Sequence, residues 1–119
     1  GEVKWYYKSG AIKITGYYKD TTAYGNWKEY YEDSKLKADY NYEKGKINGI
    51  YKYYHNNGQL WAERIYKNGK LWEVLSNFDA VGKTKDKGSL KNGNGIVKVY
   101  DEDGNIIEEL LYKNGLRHK

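Results

Sequence analysis

The chain contains no cysteine, no proline and no methionine, and it has a single phenylalanine. Without cysteine there can be no disulfide framework, no cysteine zinc site and no thiol nucleophile. Two histidines, His55 and His118, are too few for a histidine-based metal site. No apolar run approaches the ~20 residues that a membrane-crossing helix needs. No secretory leader is visible in the first residues, but the sequence does not begin with Met, so location is left open, the cytoplasm slightly favoured and export not excluded. Charge of one sign is also scarce. The net charge is +5, from 21 basic and 16 acidic side chains, and the signs are interspersed. A dedicated nucleic-acid domain carries a stronger or more localised basic bias, so nucleic acid is not the expected partner.

What the chain does have is 15 tyrosines, 4 tryptophans and 14 glycines in 119 residues. That length is one domain's worth. Scaling for this mass gives a folded surface of roughly 6,700 Å², against roughly 20,000 Å² unfolded, enough difference for a real core.

The aromatics are periodic. Tyr6, Tyr30, Tyr54, Phe78 and Tyr100 follow one another at intervals of 24, 24, 24 and 22 residues. Tyr18, Tyr42, Tyr66, Leu90 and Tyr112 repeat the same intervals. So do Gly10, Ser34, Gly58, Gly82 and Gly104, and so do Gly1, Gly25, Gly49, Glu73 and Gly95. Four columns in one register define a single repeat domain over residues 1–119. Its units are 1–24, 25–48, 49–72, 73–94 and 95–118, with Lys119 left over. The shortened interval falls in a turn and removes two residues, which preserves the alternation of strand faces.

The third unit, Gly49 to Trp72, shows what one repeat folds into. A β-rich segment (Ile50 to Tyr54) meets the turn Asn56-Asn57-Gly58, and a second (Leu60 to Tyr66) meets Asn68-Gly69. Asn and Gly tolerate positive φ, and strands joined by short Gly-bearing loops read as hairpins. A three-residue loop with its last residue left-handed suits Gly10, Gly58, Gly82 and Gly104. The fold class expected is all-β: an elongated, single-layer antiparallel β-meander of about ten short strands, ~45 Å long at the usual strand spacing. Residues Asn105 to Tyr112 could also form a helix capped by Asp103, but Ile106 and Tyr112 hold the places of Leu60 and Tyr66, so strand is expected.

Pairing Tyr54 with Leu60 and Lys52 with Ala62 puts Tyr54, Leu60, Ala62 and Tyr66 on one face, read as structural. The opposite face of the first three units then carries Trp5, Tyr7, Tyr17, Trp27, Tyr31, Tyr51, Tyr53, His55 and Trp61. In the last two units it carries Asn77, Asp79, Lys87, Asp101 and Glu109, with Val97, Val99, Ile107 and Leu111. This assignment requires strands without bulges, and Trp27 and Leu75, apolar at one shared position, suggest that a bulge exists.

The residues resemble the bacterial MORN-repeat variant, roughly G-x-W-x-x-Y-Y-x-N-G-x-L-x-x-E-x-x-Y-x-N-G-K. Unit three carries Gly49, Tyr53-Tyr54, Asn57-Gly58, Leu60, Glu63, Tyr66 and Asn68-Gly69-Lys70. Unit two carries Gly25, Trp27, Tyr30-Tyr31, Leu36, Tyr42 and Gly45-Lys46, and unit five Gly95, Tyr100, Asp103-Gly104, Glu109, Tyr112 and Asn114-Gly115. Unit four departs most, with Phe78 and Leu90 in place of Tyr. Unit one lacks the late Asn-Gly. The resemblance implies a non-enzymatic hairpin-repeat protein. It further implies an antitoxin or immunity role beside a secreted toxin, or a scaffold that binds membrane phospholipid.

Catalytic chemistry finds little support. Ser9, Ser34, Ser76 and Ser89 lie outside any nucleophile-elbow context, and His55 has no partner legible in the sequence. Asp101-Glu102-Asp103-Gly104 lacks the remaining ligands of a calcium loop and occupies a hairpin turn. No catalytic residue, metal or cofactor is assigned. Lysines form rows at shared positions (Lys4, Lys28, Lys52, Lys98, and Lys19, Lys67, Lys91, Lys113), which could meet lipid phosphates or could simply keep a repetitive sheet soluble. The polar run Gly82 to Gly95 reads as a weakly paired hairpin. The partner-binding candidates are Trp5, Tyr7, Trp27, Tyr31, Tyr51, Tyr53, His55 and Trp61, since Tyr and Trp dominate binding hot spots. The expected partner is another protein, most concretely a toxin. A membrane surface is the alternative, and pairing between copies through edge strands is a third reading.

Overall fold

The computed structural model describes residues 1–118. Among them the strands are β1 (Glu2–Tyr6), β2 (Ile12–Lys19), β3 (Thr22–Tyr30), β4 (Leu36–Glu43), β5 (Lys46–Ile47), β6 (Gly49–Tyr54), β7 (Leu60–Lys67), β8 (Lys70–Asn77), β9 (Gly95–Tyr100), β10 (Ile106–Lys113) and β11 (Leu116–Arg117). No helix interrupts them, and Asn105–Tyr112 is strand almost throughout. All pairs are antiparallel. An eight-stranded sheet runs β1-β2-β3-β4-β6-β7-β8, with β5 beside β4, and a three-stranded sheet runs β11-β10-β9.

Two kinds of turn alternate. At one end the chain closes through Tyr7–Ala11, Tyr31–Lys35, His55–Gln59, Asp79–Lys83 and Asp101–Asn105, each with the same pair of backbone hydrogen bonds. The left-handed positions of these three-residue loops are Gly10, Gly58, Gly82 and Gly104, as expected, and Ser34 in the second loop. At the other end Lys44-Gly45, Asn68-Gly69, Asn92-Gly93 and Asn114-Gly115 all have positive φ at both residues, the signature of the two-residue hairpin turn whose twist matches the strands. Unit one reverses at Asp20-Thr21, with positive φ at Asp20, and Lys19 lies opposite Thr22, but the register of β2 on β3 shifts between Thr15 and Tyr17.

Tyr54 does lie opposite Leu60, but Tyr53, not Lys52, lies opposite Ala62. The register slips by one between Tyr53 and Tyr54. The same slip recurs between Trp5 and Tyr6, between Glu29 and Tyr30, and at the start of β10 opposite Tyr100. One extra residue on the second strand of each hairpin therefore reverses the faces assumed from unbroken alternation. The inner face mixes the two predicted sets: Tyr51 and Tyr53 share it with Ala62, Ala38 and Tyr66. Val97 and Val99 also point to the core, with Leu110 and Tyr112, whereas Ile107 and Leu111 are exposed.

The core consists of two clusters. Ala23, Trp27, Ala38, Tyr40 and Tyr51 form the first, and Leu71, Val74, Leu90 and Val97 the second. Unit four has no regular second strand. Between Asn77 and Gly95 pairing is reduced to isolated bridges, yet Leu90 is buried and pins the segment to the second cluster. The weak pairing expected for Gly82 to Gly95 is what the structure shows, and the sheet divides at this point.

The repeated slips also change the shape. The molecule measures 38 × 32 × 21 Å, shorter and thicker than a flat sheet of ~45 Å by ~10 Å. Bulges bend the strands and increase their twist, so the sheet coils and covers part of its own aromatic face. The radius of gyration is 15.1 Å and the surface 7434 Å², above the ~13.5 Å and ~6,700 Å² of a compact globule of this length. A sheet with no second layer is the cause.

Candidate functional site

The eight predicted binding residues separate into three roles. Tyr7, Tyr31 and His55 begin successive three-residue loops. The Tyr7 hydroxyl donates to the Tyr30 carbonyl at 2.7 Å, the Tyr31 hydroxyl to the Tyr54 carbonyl at 2.6 Å, and His55 Nε2 meets the Phe78 carbonyl at 2.9 Å. Each bond joins one repeat to the next across the same interval, so these side chains staple neighbouring hairpins. The opposite rung of the staple is the extra residue of each slipped pair. Lys13 lies over the Tyr7 ring, Lys37 over the Tyr31 ring, and Trp61 stacks on His55 at 4.1 Å. His55 is 2% exposed, with Nδ1 unpartnered.

Trp27, Tyr51 and Tyr53 hold the inner face together. Trp27 is 5% exposed and Tyr51 8%. The Trp27 ring covers Gly16 so closely that a Cβ there would sit 2.1 Å from it. Tyr51 stacks on Tyr40 at 4.4 Å with the rings 3° from parallel, and Tyr53 lies 4.5 Å from Tyr51. Two charges enter this aromatic wall. Glu29 accepts the Tyr40 hydroxyl at 2.6 Å, and Arg64 lies over the Tyr53 ring with its Nε unpartnered. Burial pushes the Tyr40 and Tyr51 phenols well above the ordinary tyrosine range, and Glu29 adds to both effects.

Trp5 alone of the eight presents a wide apolar surface. It is 43% exposed while stacking on Trp27 at 5.8 Å. Around it lies a hollow of about 350 Å³ lined by Trp5, Tyr6, Lys13, Ile14, Trp27, Tyr40 and Tyr42. Tyr6, at its rim, is 58% exposed. A smaller hollow of about 140 Å³ lies farther along, lined by Tyr53, Trp61, Ala62, Asn77, Val99 and Tyr100. Tyr6, Ile14, Tyr40 and Tyr42 are the lining residues that strict alternation places on the other face. The clue to them was the parity conflict at Trp27 and Leu75.

Along the central strands, lysines and carboxylates alternate. Lys28 stands opposite Asp39, Asp39 opposite Lys52, and Lys52 opposite Glu63. Lys98 contacts Asp86 at 2.7 Å and Glu109 at 3.9 Å. The lysine row is thus interleaved with carboxylates. The acidic loop at Asp101 is used internally too: its Oδ1 accepts from the amides of Asp103 and Asn105.

The MORN repeat variant family model matches residues 1–20, 23–44, 47–68 and 93–114, most of the chain. The chain belongs to the MORN repeat variant family. The stretch left unmatched, 69–92, holds nearly all of unit four, where the regular hairpin is missing. No curated protein and no solved structure matches the chain. MORN repeats are a non-enzymatic module associated with binding to proteins or to membrane phospholipid. The coiled hairpin meander with its open aromatic hollow accords with a binding role.

Proposed function

We propose that this MORN-repeat chain is a protein-binding module and that its partner seats on the aromatic hollow at the amino-terminal end of the sheet. The observation that carries the reading is the exposure of Trp5 and Tyr6 beside a hollow floored by Trp27, Tyr40 and Tyr42. Rigid aromatics around a pocket supply contact area at low entropic cost, and such residues are enriched among hot spots. The interleaved outer-face charges favour a protein over a phospholipid surface, because a lysine flanked by carboxylates presents little net field to phosphate.

An immunity role, in which the bound protein is a toxin that the chain neutralises, is the finer form of this proposal. It draws on the likeness to the bacterial members of the family. The roles assigned to Tyr7, Tyr31, His55 and Trp61 move with it: they stiffen the frame and leave Trp5 to make contact.

Affinity capture from native lysate, washed at low and high salt, tests the reading. A stoichiometric protein that survives high salt with the wild-type chain, and is lost with the Trp5→Ala/Tyr6→Ala variant, is expected. Recovery of anionic lipid that washes away with salt, and of no protein, would overturn it. The toxin form is tested by expressing the captured protein alone and with the chain: growth arrest relieved by the wild-type chain only is the expected result.

A further inference from the structure

The repeat shows what unit four is missing. In unit two the buried ring of Tyr40 donates its hydroxyl to Glu29 at 2.6 Å and stacks on Tyr51. Two repeats on, Asn77 holds the place of Glu29 and Gly88 that of Tyr40. The register bears out the correspondence: Gly88 faces Val97, which holds the place of Tyr51. Unit four therefore keeps a hydrogen-bond acceptor and lacks both the ring and the hydroxyl that would meet it. Nor can a tyrosine stand at Gly88, since φ there is +84° and a Cβ would lie 2.2 Å from the Ile96 carbonyl oxygen.

The hollow of about 140 Å³ adjoins Asn77, where the sheet divides. Tyr53, Trp61 and Ala62 wall it from β6 and β7, Val99 and Tyr100 from β9. Its volume is close to the ~150 Å³ of an apolar cavity that takes a benzene ring. The walls are held in place: Trp61 stacks on buried His55 at 4.1 Å, Arg64 lies over the Tyr53 ring, and the Tyr100 hydroxyl donates to the Asp86 carbonyl at 2.7 Å. Asn77 is 4% exposed. Its Nδ2 donates to the Lys98 carbonyl at 3.4 Å, an acceptor that fixes which end of the amide is nitrogen. Its Oδ1 accepts nothing from the described residues, yet it is not sealed from solvent. A pre-formed apolar pocket with one free acceptor selects a ring that carries a donor.

We propose that this hollow binds a single phenol ring, whose hydroxyl donates to Asn77 Oδ1 as that of Tyr40 donates to Glu29. The ring comes from a free small phenol or from a tyrosine side chain that a partner presents; the chemistry recognised is the same. The site lies in the interior of the chain and shares no residue with the hollow around Trp5, so it does not rest on what that hollow binds.

An NMR titration of the isotope-labelled full chain with p-cresol, and with toluene in parallel, is the test. p-Cresol is expected to shift the Asn77 side-chain amide and the Val99 backbone amide. It is expected to bind about tenfold more tightly than toluene, the scale of one hydrogen bond to an otherwise unpaired acceptor. Asn77→Leu should lose that preference while still admitting toluene. Val99→Phe fills the hollow and should bind neither, with thermal melts checking that each variant is folded. If Asn77→Leu does not fold, the wild-type comparison of the two ligands and the Val99→Phe variant decide. The Trp5→Ala/Tyr6→Ala variant should bind p-cresol as the wild type does, which separates this site from the amino-terminal hollow. N-Acetyltyrosinamide binding as tightly as p-cresol would assign the ring to a partner's side chain, and its exclusion would assign it to a free phenol; either supports the site. No shift at Asn77, equal wild-type affinities for p-cresol and toluene, or binding that survives Val99→Phe would overturn the proposal.

Discussion

Single side chains carry much of this fold. Gly16 is required because the Trp27 ring occupies the space where its Cβ would be. Its backbone needs no positive φ, so the constraint is purely steric. Gly16→Ala should cost about 1–3 kcal/mol in a urea melt, as overpacking does, and Trp27→Ala about 3–5 kcal/mol from the cavity it leaves. The staples are weaker: Tyr31→Phe removes the hydroxyl bond to the Tyr54 carbonyl and should cost about 1 kcal/mol. Tyr40 and Tyr51 set an alkaline limit. Burial holds their folded phenols well above the ordinary tyrosine range, while in the unfolded chain they ionise near pH ~10. Above that pH the native state binds more protons than the unfolded state, so stability falls as pH rises. Urea midpoints should drop between about pH 9 and about pH 11, and Tyr40→Phe should flatten the drop. A midpoint indifferent to alkali would show that these phenols are not held neutral by the fold.

At the scale of the element, the repeat supplies its own controls. Ser34 is left-handed, with φ 73°, where four sister loops have glycine. Ser34→Gly should therefore stabilise by about 1 kcal/mol, and an unchanged melting temperature would contradict the strain argument. The hairpins, both turn types and the strand at Asn105–Tyr112 were all legible in the sequence, because Gly and Asn spacing fixes positive-φ sites and so fixes where the chain reverses. The faces were not legible in full. A one-residue slip just before Tyr6, Tyr30, Tyr54 and Tyr100 leaves the column spacing untouched but exchanges the sides of the sheet. It sent Tyr51 and Trp27 inward beside Ala38 and left Trp5 and Tyr6 as the exposed rim. Only the conflict at Trp27 and Leu75 signalled it. The staple roles of Tyr7, Tyr31 and His55 were also hidden, since their partners are backbone carbonyls, which any sequence has.

On the scale of the whole molecule, a coiled single sheet buries one face partly and is open at its edges. Stability should be uneven along it. The stretch from Phe78 to Asn94 makes few regular backbone pairs, so its amides should exchange faster than those of β3, β4 and β7. Leu90, Val97 and the bridges around them should be the slow exceptions; uniform protection across the chain would contradict the division of the sheet at unit four. The same coiling gathers Trp5, Tyr6, Trp27, Tyr40 and Tyr42 around one hollow.

That hollow is the centre of the functional account, and the most direct measurement is a calorimetric titration of the captured partner against the wild-type chain and the folded Trp5→Ala/Tyr6→Ala variant. Loss of at least about tenfold in affinity is predicted, the scale of hot-spot truncation. Unchanged affinity, with the variant's melting curve intact, would contradict the account and place the binding surface elsewhere on the sheet.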